Sequence, residues 1–210
     1  MATQEVADGA SRRWGAETAL LDDDEARRRL VDATRRCLIR RGSARITVQE
    51  VAKEAAVARS TVYRYFANRD ELILGVLLAG IDTAIDAIVV SLPHPEEAAQ
   101  SLVELVMRPL ELVKDNELTD AMFSEDSGWV VMALEVSSEA VVETYHRHLG
   151  PLIERWQADG QLHGDLDPRE TTRWINTVAL LLMAPPWVSR SDDAKRLFLD
   201  QYLVRALVRE

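Results

Sequence analysis

The chain has 210 residues, of which 47% are hydrophobic and 29% charged, a composition that is ordinary for a globular protein with a buried core. Its net charge of −10 is unusual for a protein that binds a polyanion, and its single cysteine, Cys37, excludes an internal disulfide and a cysteine cluster for a metal. No run reaches the roughly 18 apolar residues of a membrane span, and residues 1–21 lack the apolar stretch of a secretory signal, so we expect a cytoplasmic protein with no membrane partner.

The first predicted segment, residues 1–22, is a flexible N-terminal arm without apolar periodicity. It carries Arg12 and Arg13, which are the residue type that basic arms use in DNA grooves, while an untethered tail is the alternative interpretation. The acidic run 22–25 then favours the start of a helix, because negative charge stabilises a helix N-terminus. Apolar residues at helical spacing follow as far as Gly42, and Cys37 among them is predicted to be a small core residue.

From Thr47 onward the chain shows helical periodicity without a strand pattern, so the predicted fold class is all-α. We predict a three-helix head over 23–76 and a helical second domain over 77–210. Within the second domain the pattern gives these approximate segments: a long helix from Asn68 that enters it, a loop at 91–95, helices at 96–113, 138–159, 168–184 and 192–208, and shorter helical pieces within 118–136.

The charge of the two predicted domains differs in sign. Between residues 24 and 76 there are twelve Lys and Arg against seven Asp and Glu, a net charge of +5, whereas residues 77–210 carry −12. This asymmetry is typical of a polyanion-binding head on an acidic body, although clustered arginines also occur on solvated helix faces.

A helix-turn-helix is predicted between Ile46 and Phe66. Thr47 and Glu50 have the spacing of a capping box, which starts the first helix. Val57 is the apolar residue of the turn, and Val62 with Phe66 anchors the second helix from inside. The remaining positions of the second helix carry hydroxyls, tyrosines and arginines, which are the residues that suit a helix in the major groove.

Residues 24–78 resemble the DNA-binding head of the tetracycline-repressor (TetR) family of bacterial regulators. The resemblance rests on Thr47-x-x-Glu50-Val51-Ala52, on Val57, and on Thr61-Val62-Tyr63-x-Tyr65-Phe66 followed by Asn68-Arg69-Asp70-Glu71-Leu72. It implies a transcriptional repressor that binds a palindromic operator in double-stranded DNA as a homodimer and is released by a small, largely apolar effector. It implies no cofactor and no metal.

Two residues depart from the family pattern. Ala56 stands where the family has a glycine in the turn, and a positive φ there would strain an alanine by roughly 1 kcal/mol. Ala58 stands where the recognition helix usually opens with a serine or threonine cap, whose loss costs about 1 kcal/mol. These departures leave open an alternative function, a small-molecule-binding or protein-interaction module with a degenerate DNA-binding head.

The resemblance carries DNA contacts onto eight positions: Thr47, Gln49, Arg59, Ser60, Thr61, Tyr63, Tyr65 and Arg69. We expect Thr47, Tyr63 and Arg69 to bind phosphates. We expect Gln49, Arg59 and Ser60 to contact base edges, since arginine favours guanine and glutamine favours adenine. Thr61 fits either role. A packing position is the alternative to a phosphate contact for both Tyr63 and Tyr65.

The family's dimer interface and effector pocket are expected in the second domain. The last two helices are unusually apolar, which favours a four-helix interface between two copies; its predicted residues are Trp174, Val178, Leu181, Leu182, Phe198, Tyr202 and Ala206. The predicted effector pocket comprises Met107, Leu110, Met122, Phe123, Trp129, Met132, Glu135 and Trp156. Ordinary core packing is the alternative for both sets.

An enzyme is not predicted. The sequence contains no Cys/His ligand set, glycine-rich phosphate loop or nucleophile elbow. His146 and His148 are two residues apart, so on a helix they point in different directions and cannot share a metal.

Overall fold

The computed structural model describes residues 21–114, 116–122 and 139–209, and every regular element in these ranges is a helix, with one isolated β-bridge between Leu162 and Val208. The helices are α1 (Leu21–Arg41), α2 (Val48–Glu54), α3 (Arg59–Tyr65), α4 (Arg69–Val90), α5 (Ala98–Leu112), α6 (Glu117–Met122), α7 (Glu139–Ala158), α8 (Pro168–Met183) and α9. The last of these begins as Asp192–Phe198, widens to a π-helix over Leu199–Val204 and ends as Arg205–Leu207. The predicted all-α class is confirmed.

The predicted helix boundaries in the head are set by local caps. Gly42 ends α1 with a φ of +63°, in the left-handed region that glycine adopts without strain. Asn68 caps α4, because its Oδ1 accepts the Glu71 backbone N–H at 2.9 Å. The Glu71 carboxylate in turn accepts the backbone N–H of Ala67, the residue before the cap, at 2.7 Å, so one donor of the helix and one donor just outside it are satisfied.

Two apolar cores share the long helix α4. We define the head core as the buried apolar cluster of α1–α4 and α6, which Val141 of α7 also joins. The body core is the buried cluster of α5 and α7–α9. Leu72, Ile73 and Val76 place the first half of α4 in the head core, whereas Ile85 and Ile88 place its second half in the body core. The predicted domain boundary at residues 76 and 77 therefore falls inside a continuous helix.

Helix α4 is also, among the described ranges, the one helix whose length and composition would allow it to cross a membrane. The mean hydropathy of its most apolar 18-residue window is 2.2, and 17% of that window is buried. The sequence prediction did not anticipate this, since Asp82, Thr83 and Asp86 interrupt the apolar run. Helix α4 contacts α1, α5 and α7, and five of its residues are buried: Leu72, Ile73, Val76, Ile85 and Ile88.

The buried residues of α9 are spaced four apart. Lys195, Leu199, Leu203 and Leu207 are buried, while Leu197 and Tyr202 are exposed. The π-helical turn over Leu199–Val204 lies in the middle of this series. The sequence pattern predicted a helix over 192–208 but not this turn.

Candidate functional site

The predicted helix-turn-helix is formed by α2, the turn at residues 55–58 and α3. Val51 and Ala52 of α2 and Val62 of α3 are buried in the head core. The Val57 backbone N–H donates to the Ala52 carbonyl at 2.9 Å, which closes the turn. Gly75 of α4 lies against Phe66, where an added Cβ would be 3.3 Å from the Phe66 Cε1 atom, so the end of α3 and the start of α4 are packed closely.

The turn contains the strained residue that the sequence indicated. Ala56 has a φ of +55°, the single positive value of a non-glycine residue among the described ranges. Ala58 occupies the N-cap of α3 without a side-chain hydrogen bond to the helix. Ala56 therefore has the positive φ that the sequence indicated, and α3 begins without a side-chain cap.

We expect the substitution Ala56→Gly to raise the free energy of unfolding by about 1 kcal/mol, because glycine adopts a positive φ without a Cβ clash. Urea titration followed by circular dichroism measures the change. Ala55→Gly is the matched control, since Ala55 has a φ of −81°. This variant should have a free energy of unfolding about 0.5–1 kcal/mol lower than the wild type, because glycine has more backbone freedom in the unfolded chain. Equal losses in both variants would mean that Ala56 is unstrained.

The exposed face of α3 carries three of the predicted DNA contacts, Arg59, Ser60 and Tyr63, while Thr61 is half-buried. Arg59 Nη2 donates to the Tyr63 hydroxyl at 2.8 Å, and its Cζ lies 5.2 Å from the Tyr63 ring centroid. This i,i+4 pair holds an arginine and a phenol side by side on one face of the helix. The structure thus brings a charged donor and a hydroxyl together on a surface of the basic head.

Two of the predicted contacts near helix starts, Thr47 and Arg69, already have partners. The Thr47 hydroxyl donates to Glu50 Oε2 at 2.9 Å and accepts the Glu50 backbone N–H at 3.2 Å. The Thr47 backbone N–H also donates to Glu50 Oε2, at 2.7 Å, and the two hydrogen bonds that Thr47 donates to the Glu50 carboxyl lower its pKa from the usual value. Arg69 pairs with the neighbouring Asp70 at 2.7 Å, and Gln49 is exposed on α2. The predicted capping box is confirmed, so Thr47 has a structural role whether or not it binds DNA.

Tyr65 departs from the other predicted DNA contacts. Its ring is 8% exposed and lies in the head core. Its hydroxyl donates to Asp23 Oδ1 of α1 at 3.0 Å and accepts a hydrogen bond from Arg64. Burial favours the packing interpretation over the phosphate contact, because the ring presents little surface to a duplex. Sequence reasoning missed Asp23, which it interpreted only as a charge at a helix N-terminus.

Arginines of α1 secure α2 through its acidic residues. Arg36 and Arg40 each donate to Glu54 at 2.7 Å, and their hydrogen bonds lower the pKa of that carboxyl. Arg41 pairs with Glu50 at 2.8 Å. Cys37 lies beneath these arginines and is buried, which raises the pKa of its thiol. The prediction that Cys37 is a small core residue is confirmed.

The predicted effector-pocket residues fall into three groups. Met107, Leu110 and Trp156 are buried together in the body core, and the Trp156 Nε1–H donates to the Pro95 carbonyl at 2.9 Å. Met122 is buried in the head core instead. The other four predicted residues, Phe123, Trp129, Met132 and Glu135, lie outside the described residues. The structure therefore brings three of the eight together, and the pocket stays a prediction.

The predicted dimer residues divide between an outer and an inner face. Trp174 and Leu181 of α8 are 46% and 45% exposed, Tyr202 of α9 is 61% exposed, Ala206 is exposed and Phe198 is half-buried. Val178 and Leu182 are instead buried in the body core of their own chain, so they are not available to a partner in this conformation. Two further exposed apolar residues, Val188 and Leu197, were not among the predicted set.

Aromatic rings extend this exposed surface. The Phe198 ring lies 4.4 Å from the Trp187 centroid and 5.0 Å from the Tyr202 centroid. Trp187, Phe198 and Tyr202 line a shallow cavity of about 380 Å³ together with Leu197. We use the name apolar face for Trp174, Leu181, Val188, Leu197 and Tyr202, which are large, hydrophobic and exposed.

The two neighbouring histidines point to different partners, as predicted. His146 Nδ1 lies 3.3 Å from the Thr172 hydroxyl, whereas His148 Nε2 lies 2.8 Å from Asp82 of α4. An exposed group of His94, Glu96 and Glu97 has the spacing of possible metal ligands, but exposed acidic groups commonly have this spacing without an ion.

Comparison with known proteins finds one match within the head and others that cover most of the chain. Residues 30–76 match the family model described as "Bacterial regulatory proteins, tetR family". An uncharacterized HTH-type transcriptional regulator of Mycobacterium tuberculosis is 31% identical over 180 residues, which cover 84% of this chain and 82% of that protein.

Solved structures share the fold at lower identity. The R. erythropolis transcriptional repressor QsdR, from the TetR family, superposes with a TM-score of 0.67 and 18% identity, over 89% of this chain and 97% of its own. RolR in complex with its ligand resorcinol superposes with a TM-score of 0.59 and 16% identity, over 90% and 91% of the two chains. The fold therefore extends through the second domain as well as the head.

Proposed function

Because the chain belongs to the TetR family of DNA-binding transcriptional regulators, we propose that it is a homodimeric repressor, not an enzyme, which binds a palindromic operator and is released by a small, largely apolar effector. It acts in the cytoplasm, where its operator DNA is accessible.

The observation that carries the operator proposal is the exposed face of α3. Arg59, Ser60 and Tyr63 lie on it, in a head that carries a net charge of +5 on an otherwise acidic chain. A positive head attracts the phosphate backbone of any duplex. Arginine and hydroxyl groups on an α-helix that fits the major groove can in addition discriminate between base edges. The acidic body repels the same backbone, so binding is directed to the head.

The homodimer proposal is supported by the apolar face on α8 and α9. Trp174 and Leu181 of α8, Leu197 and Tyr202 of α9, and Val188 between the two helices are all large, hydrophobic and exposed, and a protein–protein interface is one explanation for such exposure. In a two-fold symmetric dimer the same surface of a second copy covers these residues. The two-fold axis also places one head on each half of a palindrome.

The effector proposal rests on the second domain. RolR, whose fold is similar, binds the small aromatic compound resorcinol. In this chain Met107, Leu110 and Trp156 are buried together, and small-molecule sites are lined mostly by apolar side chains such as these. We propose that the effector lies beside this group and contacts the four predicted residues outside the described ranges.

The operator proposal is tested by titrating duplex DNA at fixed salt. Fragments selected from the organism's genome by the purified protein give a candidate operator, and a random duplex of equal length is the control. We expect a palindromic fragment to bind at least about 10³-fold more tightly than the random duplex, with both affinities falling as salt rises. A protein that prefers no duplex over bulk DNA would not be a sequence-specific regulator.

The substitution Arg59→Ala should weaken operator binding by about 1–3 kcal/mol and relax base preference at one position of each half-site. The reason is that an arginine fork discriminates guanine through two hydrogen bonds. Fluorescence anisotropy on the operator, on single-base variants and on random duplex measures both effects.

Tyr63→Phe is the matched comparison, since it removes the hydroxyl that Arg59 contacts but keeps the ring. We expect it to weaken binding to all duplexes by a similar factor, as loss of a phosphate contact does. If Arg59→Ala reduced affinity for the operator and for random duplex equally, Arg59 would contact only the backbone.

A further inference from the structure

A chain of side-chain contacts joins the last turn of α3 to the first turn of α1. The Tyr65 hydroxyl donates to Asp23 Oδ1 at 3.0 Å, across 42 positions in the sequence. Arg64 donates to the same hydroxyl, and its Cζ lies 4.6 Å from the Tyr65 ring centroid. The Tyr65 ring itself is buried in the head core. One phenol oxygen thus receives a cationic donor on one side and contacts a carboxylate on the other.

The Asp23–Tyr65–Arg64 contacts, which we call the bridge, hold a helix that has few other fixed contacts. Helix α3 has seven residues, no side-chain cap at Ala58, and a strained residue before it at Ala56. Its remaining anchors are the buried side chains of Val62, Tyr65 and Phe66. Apolar contacts hold the helix against the core but tolerate small rotations, whereas a hydrogen bond to an ionised group is directional.

We propose that Asp23 is a positioning residue for DNA recognition, which fixes the orientation of α3 by holding the Tyr65 hydroxyl, and that Tyr65 is not a phosphate ligand. The hydroxyl has one proton, and Asp23 accepts it, so this proton is not available to a phosphate oxygen. The proposal rests on the assignment of α3 as the recognition helix.

The negative charge of Asp23 allows an experiment to distinguish a positioning role from simple repulsion of DNA. Removing a carboxylate near a polyanion-binding surface ordinarily strengthens DNA binding, because repulsion is lost. A positioning role predicts the opposite sign at Asp23 alone. Asp24 is the matched control, since it is an exposed carboxylate in the same turn of α1.

The experiment compares operator and random-duplex dissociation constants for the full chain at one salt concentration. We expect Asp23→Ala and Tyr65→Phe each to weaken operator binding about tenfold, the effect of losing one hydrogen bond to a charged group. Random-duplex binding should change less than about twofold, because backbone contacts tolerate a small rotation. The double variant should be no weaker than either single variant, since both remove the same contact.

Two further variants test the cause. Asp23→Asn keeps an acceptor oxygen without the charge and should weaken operator binding less than Asp23→Ala does. Asp24→Ala should leave operator binding unchanged or strengthen it. Tyr65→Phe keeps the buried ring and Asp23→Asn keeps the shape of the side chain, so at least these two variants report on a folded head.

Three results would overturn the proposal. Equal weakening on operator and random duplex by Tyr65→Phe, with no effect of Asp23→Ala, would make Tyr65 a phosphate ligand. If Asp23→Ala and Asp24→Ala both bound the operator more tightly, Asp23 would affect DNA binding only through its negative charge. A lower melting temperature with an unchanged ratio of operator to random-duplex affinity would make the bridge structural only. Wild-type protein is measured first in the same titration, so absence of operator preference there marks failure of the proposed function itself.

Discussion

The substitution Leu181→Glu is expected to separate the proposed homodimer into monomers and to weaken operator binding by about 10²- to 10⁴-fold. Leu181 is 45% exposed on α8 and belongs to the apolar face. A carboxylate there would be buried without a partner in the dimer, which is strongly unfavourable. Two linked heads bind a palindrome with a high effective concentration, and monomers lose that advantage.

Sedimentation or light scattering at micromolar concentration measures the assembly, and an operator titration measures the affinity. Leu112→Glu is the matched control, because Leu112 is an exposed leucine of α5 outside the apolar face and should leave both properties unchanged. A wild-type monomer at that concentration would refute the homodimer. A Leu181→Glu variant that remained a dimer with full affinity would place the interface elsewhere.

The substitution Trp156→Ala should lower the free energy of unfolding by about 3–5 kcal/mol, the range for truncating a large buried aromatic residue. Trp156 is fully buried in the body core, and its indole N–H is bonded to the Pro95 carbonyl. The change removes the ring and one of the two hydrogen bonds that α7 donates to the Pro95 carbonyl in the segment before α5. Urea denaturation followed by circular dichroism measures the loss.

Trp156→Phe separates the two contributions, since it keeps an aromatic ring and removes only the indole N–H. We expect a smaller loss, because Arg155 also donates to the Pro95 carbonyl. A loss below about 1 kcal/mol for Trp156→Ala would contradict a closed core at this position. It would favour the alternative in which Trp156 lines an open effector pocket.

The features of the head that sequence predicted well are those with local causes. The Thr47–Glu50 box and the Asn68 cap involve residues three apart, so their spacing alone identifies the helix starts. The positive φ of Ala56 was likewise expected from the turn that the family shares. Each of these signals is contained within a few consecutive residues.

Tyr65 shows where local reasoning was incomplete. Val62, Tyr65 and Phe66 have the i, i+3, i+4 spacing of one helix face, so the burial of Tyr65 was available from the pattern. Its partner Asp23 was not, because 42 positions separate the two residues and no local signal connects them.

The two faces of α8 illustrate a different limit. The helix is apolar on both sides, so composition indicated an interface without dividing its residues between partner and core. In the structure Ile175, Val178 and Leu182 face the body core, while Trp174 and Leu181 face outward. The assignment depends on how α8 packs against α7, the helix before it, and against α5, which is distant in sequence.

The π-helical turn of α9 keeps the buried residues of this helix on one side of its axis. In a regular α-helix, positions four apart rotate by about 40° at each step, so Leu207 would lie about 120° around the axis from Lys195. A turn with i→i+5 hydrogen bonds contains more residues and offsets this rotation. Leu199, Leu203 and Leu207 therefore stay aligned toward their own body core, which leaves the opposite side, with Leu197 and Tyr202, free to serve a second copy over the same length of helix.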